Sequence, residues 1–101
     1  MNFSFDVLAT QNNLALAHYQ LVTDPSFKGD KKIISQHLEA SLEHHVQALG
    51  RLVKNTEGYH TTFNHIVKII RTFHNELGIQ GQNLALSKVP GNLIPEILPK
   101  L

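Results

Sequence analysis

The sequence contains no cysteine, no tryptophan and a single methionine. Without cysteine there are no disulfides, no thiolate metal ligands and no cysteine nucleophile, and nothing points to an oxidising compartment. Charge is also scarce. Nine basic and eight acidic side chains make up 17% of the residues and leave a formal charge of +1. So weak a net field draws in neither nucleic acid nor an anionic membrane. Long hydrophobic runs are missing as well: residues 7–22 carry no formal charge, but Gln11, Asn12, Asn13, His18 and Gln20 interrupt them. The start has no basic stretch, so neither a spanning segment nor a leader is expected and the chain is read as cytoplasmic. What is present is 101 residues, 42% of them apolar. That is the size of one domain, with enough apolar surface for one core.

Periodicity and punctuation divide the chain into four stretches. The first, about residues 5–22, sets Leu8, Ala15, Tyr19 and Val22 on one stripe, with Leu14, Ala17, His18 and Leu21 beside it. Asp24-Pro25 should end this helix, because the residue before proline is pushed out of helical geometry and proline has no amide to donate. Asp30 is placed to cap a second helix running to about Lys54. Its inner stripe reads Ile34, Leu38, Ser41 or Leu42, His45, Leu49, Leu52, and Lys32, Gln36, Glu39, Glu43 and Gln47 fill the opposite side. Gly50 inside it costs about 1 kcal/mol against alanine, so either another backbone approaches there or the helix loosens before its end. After a short connection in which Thr56 can cap, a third helix turns Tyr59, Phe63, Ile66, Val67, Ile70, Phe73 or His74, and Leu77 inward. Thr61, His65, Lys68, Thr72 and Asn75 face outward. Gly78-Ile79 has the form of a C-terminal stop with glycine at positive φ. Gln82 to Lys88 fits a short helix, and Pro90, Pro95 and Pro99 exclude a long one beyond it.

Leu8-Ala9-Thr10-Gln11-Asn12-Asn13-Leu14-Ala15-Leu16-Ala17-His18-Tyr19-Gln20-Leu21 resembles the first helix of a tetratricopeptide repeat. Leu38-Glu39-Ala40-Ser41-Leu42-Glu43-His44-His45-Val46-Gln47-Ala48-Leu49 resembles the second. The resemblance implies two closely paired antiparallel helices, with Ala15, Ser41 and Ala48 as the small residues on facing ridges, and peptide or protein binding without catalysis. It covers about one repeat, where a free-standing array needs roughly three, so it implies a paired-helix module. A second resemblance, to the small helical bundles of bacteriocin immunity proteins, lies in the chain length and in Gly78-Ile79-Gln80-Gly81, and implies a membrane-associated partner. Residues 77–85 faintly resemble the opening of a phage-repressor helix-turn-helix, but no second helix with basic and amide side chains follows.

Seven histidines raise a metal or acid–base reading. His45 and His74, both on inner stripes, are expected to meet between the second and third helices. Two ligands do not make a zinc site, and Glu39 and Glu43 face away. The expectation is therefore of neutral core histidines and a protein that loses stability as pH falls below about 6.5. A histidine-ligated metal centre is the lesser alternative. Ser41, one turn before His45, lacks a third group to orient the imidazole and a loop to supply oxyanion donors. Lys28, Lys31 and Lys32 read as a solvated loop face, or else as a site for an anionic partner.

These readings combine into one expectation. The chain is an all-α single domain, residues 1–101, with three long antiparallel helices and a short C-terminal helix or proline-rich arm over 82–101. It acts as a non-enzymatic protein or peptide interaction module, with no cofactor, no metal, no nucleic acid and no membrane insertion. Binding is expected at Asn12, Asn13, Leu16 and Tyr19 of the first helix. The apolar arm residues Leu93, Ile94, Ile97 and Leu98 either wrap over the domain's own helices or dock on a second subunit.

Overall fold

The computed structural model describes residues 3–24, 26–27 and 29–101, with side chains from residue 10 onward among them. Pro25, Lys28 and the side chains of Leu8 and Ala9, on which some expectations fell, lie outside these described residues. The chain runs α1 (Phe3–Thr23), α2 (Lys31–Leu49), α3 (Glu57–Ser87), a 3-10 turn (Gly91–Leu93), α4 (Ile94–Ile97) and a last 3-10 turn (Leu98–Lys100). No strand occurs among the described residues.

Each boundary has a local cause. Asp24 closes α1 with its own carboxylate, which accepts from the Ser26 amide at 2.8 Å and the Ser26 hydroxyl at 2.7 Å, the Asx turn that competes with helix continuation. Asp30 caps α2, its Oδ1 accepting from the Ile33 amide at 2.9 Å, an interaction worth about 1 kcal/mol. α2 ends at Leu49 and not at the expected Lys54. The Arg51 and Leu52 amides bond only three residues back, to Ala48 and Leu49, tightening the helix out at Gly50, where helix propensity is lowest. Asn55, at φ 68°, then reverses the chain, and Thr56 Oγ1 caps α3 by accepting from the Tyr59 amide.

α3 has two limbs. Gly78 sits at φ 73°, ψ −163°, a region open essentially to glycine alone. A Cβ on Gly81 would lie 2.5 Å from Leu77 Cβ and 2.7 Å from the Phe73 carbonyl oxygen. In a straight helix residues 73 and 81 are about 12 Å apart, so the chain folds back sharply at Gly78. The expected stop is thus a reversal, and the short helix expected near 82–88 is the second limb. Three long helices become a four-limbed bundle.

One apolar core joins α2, α3 and the arm. Leu38, Leu42 and Leu49 of α2 meet Phe63, Ile66, Val67, Ile69, Ile70 and Phe73 of α3, and Ala85, Val89, Leu93 and Ile97 close the far side. The arm therefore packs on its own domain. Lys88 reaches Glu39 and Glu43 at 3.9 and 4.0 Å, and Lys54 reaches Glu96 at 3.5 Å. These exposed pairs pin the arm's path and add little energy.

α1 lies outside this core, antiparallel on α2. Where the two helices touch, Ala15 and Ser41 are fully buried, and the Ser41 hydroxyl donates to the Ala15 carbonyl at 2.6 Å; Ala48, one of the expected small residues, is buried as well. No helix among the described residues is long and apolar enough to cross a membrane.

Candidate functional site

The seam between α1 and α2 is built from amides and imidazoles. Because the helices run antiparallel, residues that rise along α1 meet residues that fall along α2. Gln11 Oε1 accepts from His44 Nδ1, Asn12 Oδ1 accepts from His45 Nδ1 at 2.9 Å, and His18 Nδ1 lies 2.8 Å from His37 Nδ1. One proton serves that last pair, one ring donating and the other accepting. The His18 ring also stacks over His44, centroids 6.0 Å apart, and Phe27 sets its edge against His37.

His45 is 1% exposed, as expected of a core histidine, but its companion is not His74. His74 is exposed and borders an open cleft with Arg71, Asn75, Gln82 and Leu101. Phe73, one residue earlier, takes the core position. The ring that meets His45 is His65, expected outward but half-buried, with centroids 5.1 Å apart and planes within 2°. Since His45 Nδ1 holds the proton given to Asn12, its Nε2 carries a lone pair. That nitrogen is buried with no hydrogen-bond partner.

These surroundings disfavour the charged rings. Burial, then His65 and His44, pushes His45 down to about 4. Burial, then His37 and His44, lowers His18, and burial followed by the Lys68 ammonium lowers His65. Among the described residues no group of three or more histidines or carboxylates is arranged to hold a metal ion.

The binding residues expected on α1 separate into two kinds. Asn12 is committed to His45, and Leu16 is half-buried. Tyr19 is half-buried as well. It donates its hydroxyl to Thr72 Oγ1 at 3.3 Å, since that oxygen already gives its own hydrogen to the Lys68 carbonyl, and Lys68 Nζ stands 5.3 Å from the ring centroid. Only Asn13 of the four faces water fully. Among the described side chains of α1 the exposed apolar ones are its neighbours: Leu14 at 42%, Ala17, and Leu21 at 45%. Their three- and four-residue spacing makes one solvent-facing ridge, signalled in the sequence by the uncharged run 7–22.

In the arm, Leu93 and Ile97 are in the core and Ile94 is half-buried, while Leu98 is 50% exposed. A second subunit would find Leu98 and the edge of Ile94 accessible, and not the other two. Comparison with protein-family models, curated proteins and solved structures finds no match to the chain.

Proposed function

We propose that the protein is a non-enzymatic interaction module that presents the Asn13–Leu14–Ala17–Leu21 ridge of α1 to a protein or peptide partner. The observation that carries this reading is the combination of exposure and missing charge. α1 has no formally charged side chain between residues 10 and 22, yet it leaves two leucines more than two-fifths exposed. A helix so placed ordinarily carries lysine and glutamate on its outer face, and an apolar outer stripe marks a contact surface. The close α1–α2 pairing at Ala15 and Ser41 supports the tetratricopeptide-like form of this module, in which the helix pair is a rigid platform for an extended or helical peptide.

A second reading has its own support. The Gly78–Gly81 stretch that carries the resemblance to bacteriocin immunity bundles is where α3 folds back into a four-limbed bundle. On that reading the same ridge meets a membrane-associated receptor.

Both are tested by affinity capture from the host's soluble and membrane fractions, comparing the parent chain with Leu14→Glu/Leu21→Glu and with Val53→Glu, a control at a 73% exposed site after the end of α2 and outside the ridge. A partner lost at least tenfold with the ridge variant and kept with the control is the expected result. Its fraction of origin separates the two readings, and equal recovery by all three chains overturns both.

A further inference from the structure

Five of the seven histidines form one connected layer across three helices. His18 of α1 bonds His37 and lies over His44 of α2, while His45, next along α2, stacks on His65 of α3. Every other charge near this layer is positive or committed elsewhere. Lys68 stands beside His65 and over Tyr19, Glu39 and Glu43 face Lys88 of the arm, and Asp30 holds the Ile33 amide. α1 contributes no charged side chain between residues 10 and 22. Among the described residues no carboxylate forms an ion pair with any histidine.

We propose that the layer is an acid-operated latch: neutral imidazoles clasp α1 to α2, and their protonation releases α1 as a unit while the α2–α3–arm core stays folded. Three features point to this. The side-chain contacts at Gln11, Asn12 and His18 all bring an imidazole to the α1–α2 seam; the two amide contacts keep their Nδ1–H donor when the ring is charged, so what acid adds there is like charge among closely packed rings. The His18–His37 bond needs one bare ring nitrogen: one added proton leaves a cation bonded to a neutral ring, and the next leaves two opposed cations with no bond between them. Finally, the described part of α1 adds only Ala15 as a fully buried residue, with Tyr19 and Val22 packed at the core's margin. The thirteen-residue core that holds α2, α3 and the arm together is aliphatic and aromatic and does not titrate; the His45–His65 stack between α2 and α3 lies beside that core, next to Asn12 of α1. His45 sits where all three helices meet, and departure of Asn12 opens its ring to water. Its protonation is thereby coupled to the loss of α1.

The latch operates whatever the partner is, and its test needs none. Amide hydrogen exchange on the full chain at pH 7.5, 6.0 and 5.0, corrected for the intrinsic pH dependence of exchange, follows residues 10–22 and 63–73 separately. Protection over 10–22 is expected to fall at least tenfold by pH 5.0 while 63–73 keep theirs. His18→Asn/His37→Asn should reduce that fall at least threefold, with His18→Asn alone as the milder variant if the pair does not fold. Equal loss in both segments, full protection of α1 at pH 5.0, or an unchanged fall in the folded variant would overturn the proposal.

Discussion

The inner and outer halves of this molecule are held by different forces. Between α2, α3 and the arm, thirteen buried apolar residues from three elements interlock, and the surrounding ion pairs are exposed and marginal. Between α1 and α2 the described side-chain hydrogen bonds are a serine hydroxyl on a backbone carbonyl, two side-chain amides on imidazoles, and an imidazole on an imidazole. Burial of apolar surface is nearly indifferent to pH, whereas imidazoles packed against one another repel once they are charged. One chain thus carries a permanent core and a conditional cover. The cover also bears the uncharged outer ridge.

The comparison can be broken at several strengths. Phe73→Ala empties a fully buried site in the core, and we expect a loss of about 3–5 kcal/mol in urea unfolding at pH 7. Less than 1 kcal/mol would mean that the core is looser than described. Acid should act next, and through the seam. His45 is held down at about 4 in the fold, against roughly 6.5 in the unfolded chain. The unfolded chain therefore takes up the proton first. The stabilising contribution is complete above pH 6.5, falls as pH drops from there toward 4, and changes no further below. His45 alone should lower the free energy between folded and unfolded chains by about 3 kcal/mol between pH 7 and pH 4. His18 and His65 shift in the same direction and add to the loss as pH falls below 6.5. A stability curve that stays flat from pH 7 to pH 4 rules this out, and His45→Leu should flatten it in part.

Smaller effects sharpen the contrast. Gly81→Ala drives a methyl against Leu77 Cβ and the Phe73 carbonyl, forcing the two limbs of α3 apart at a cost of about 1–3 kcal/mol. Thermal unfolding reads this directly, and an unchanged Tm would mean that the reversal at Gly78 is not as tight as described. At the far end of the scale, Leu14→Ala and Leu21→Ala remove exposed side chains from the ridge and should stay within about 0.5 kcal/mol of the parent. A larger cost would show that these leucines serve the fold and not a partner.

How much of this was legible in the sequence depended on whether a residue's role was local. The Asp30 cap, the break at Asp24 and the inner stripe Leu38–Ser41–Leu42–His45–Leu49 follow from residues within a few positions of each other, and all appear in the structure. Periodicity fixes the azimuth of a side chain but not whether a neighbour reaches its height. His74 shares the angle of the α3 stripe yet borders an open cleft with Gln82 of the second limb and the chain's last residue, Leu101, and stays exposed. His65 lies off the stripe, yet His45 covers it. Thr62 and Ile69 are buried for a related reason: α3 packs against α2 and also against its own second limb, which widens its inner arc beyond one stripe. That second limb was hidden because a glycine at positive φ ends most helices, and only the contact between Gly81 and Phe73 distinguishes a stop from a reversal. The ridge, by contrast, was signalled by what α1 lacks. An uncharged run on a helix that covers one side of a small domain leaves apolar side chains in water.

The central claim is that imidazoles close the seam between α1 and α2, with His18 and His45 held below their ordinary range by burial and by neighbouring rings. Following the His45 ring resonances by NMR from pH 8 to pH 3 tests it most directly. The account predicts that His45 titrates far below its ordinary range, near 4, with the α1 amide signals shifting in the same transition; a midpoint at 6.5 or above, with α1 unmoved, would contradict it.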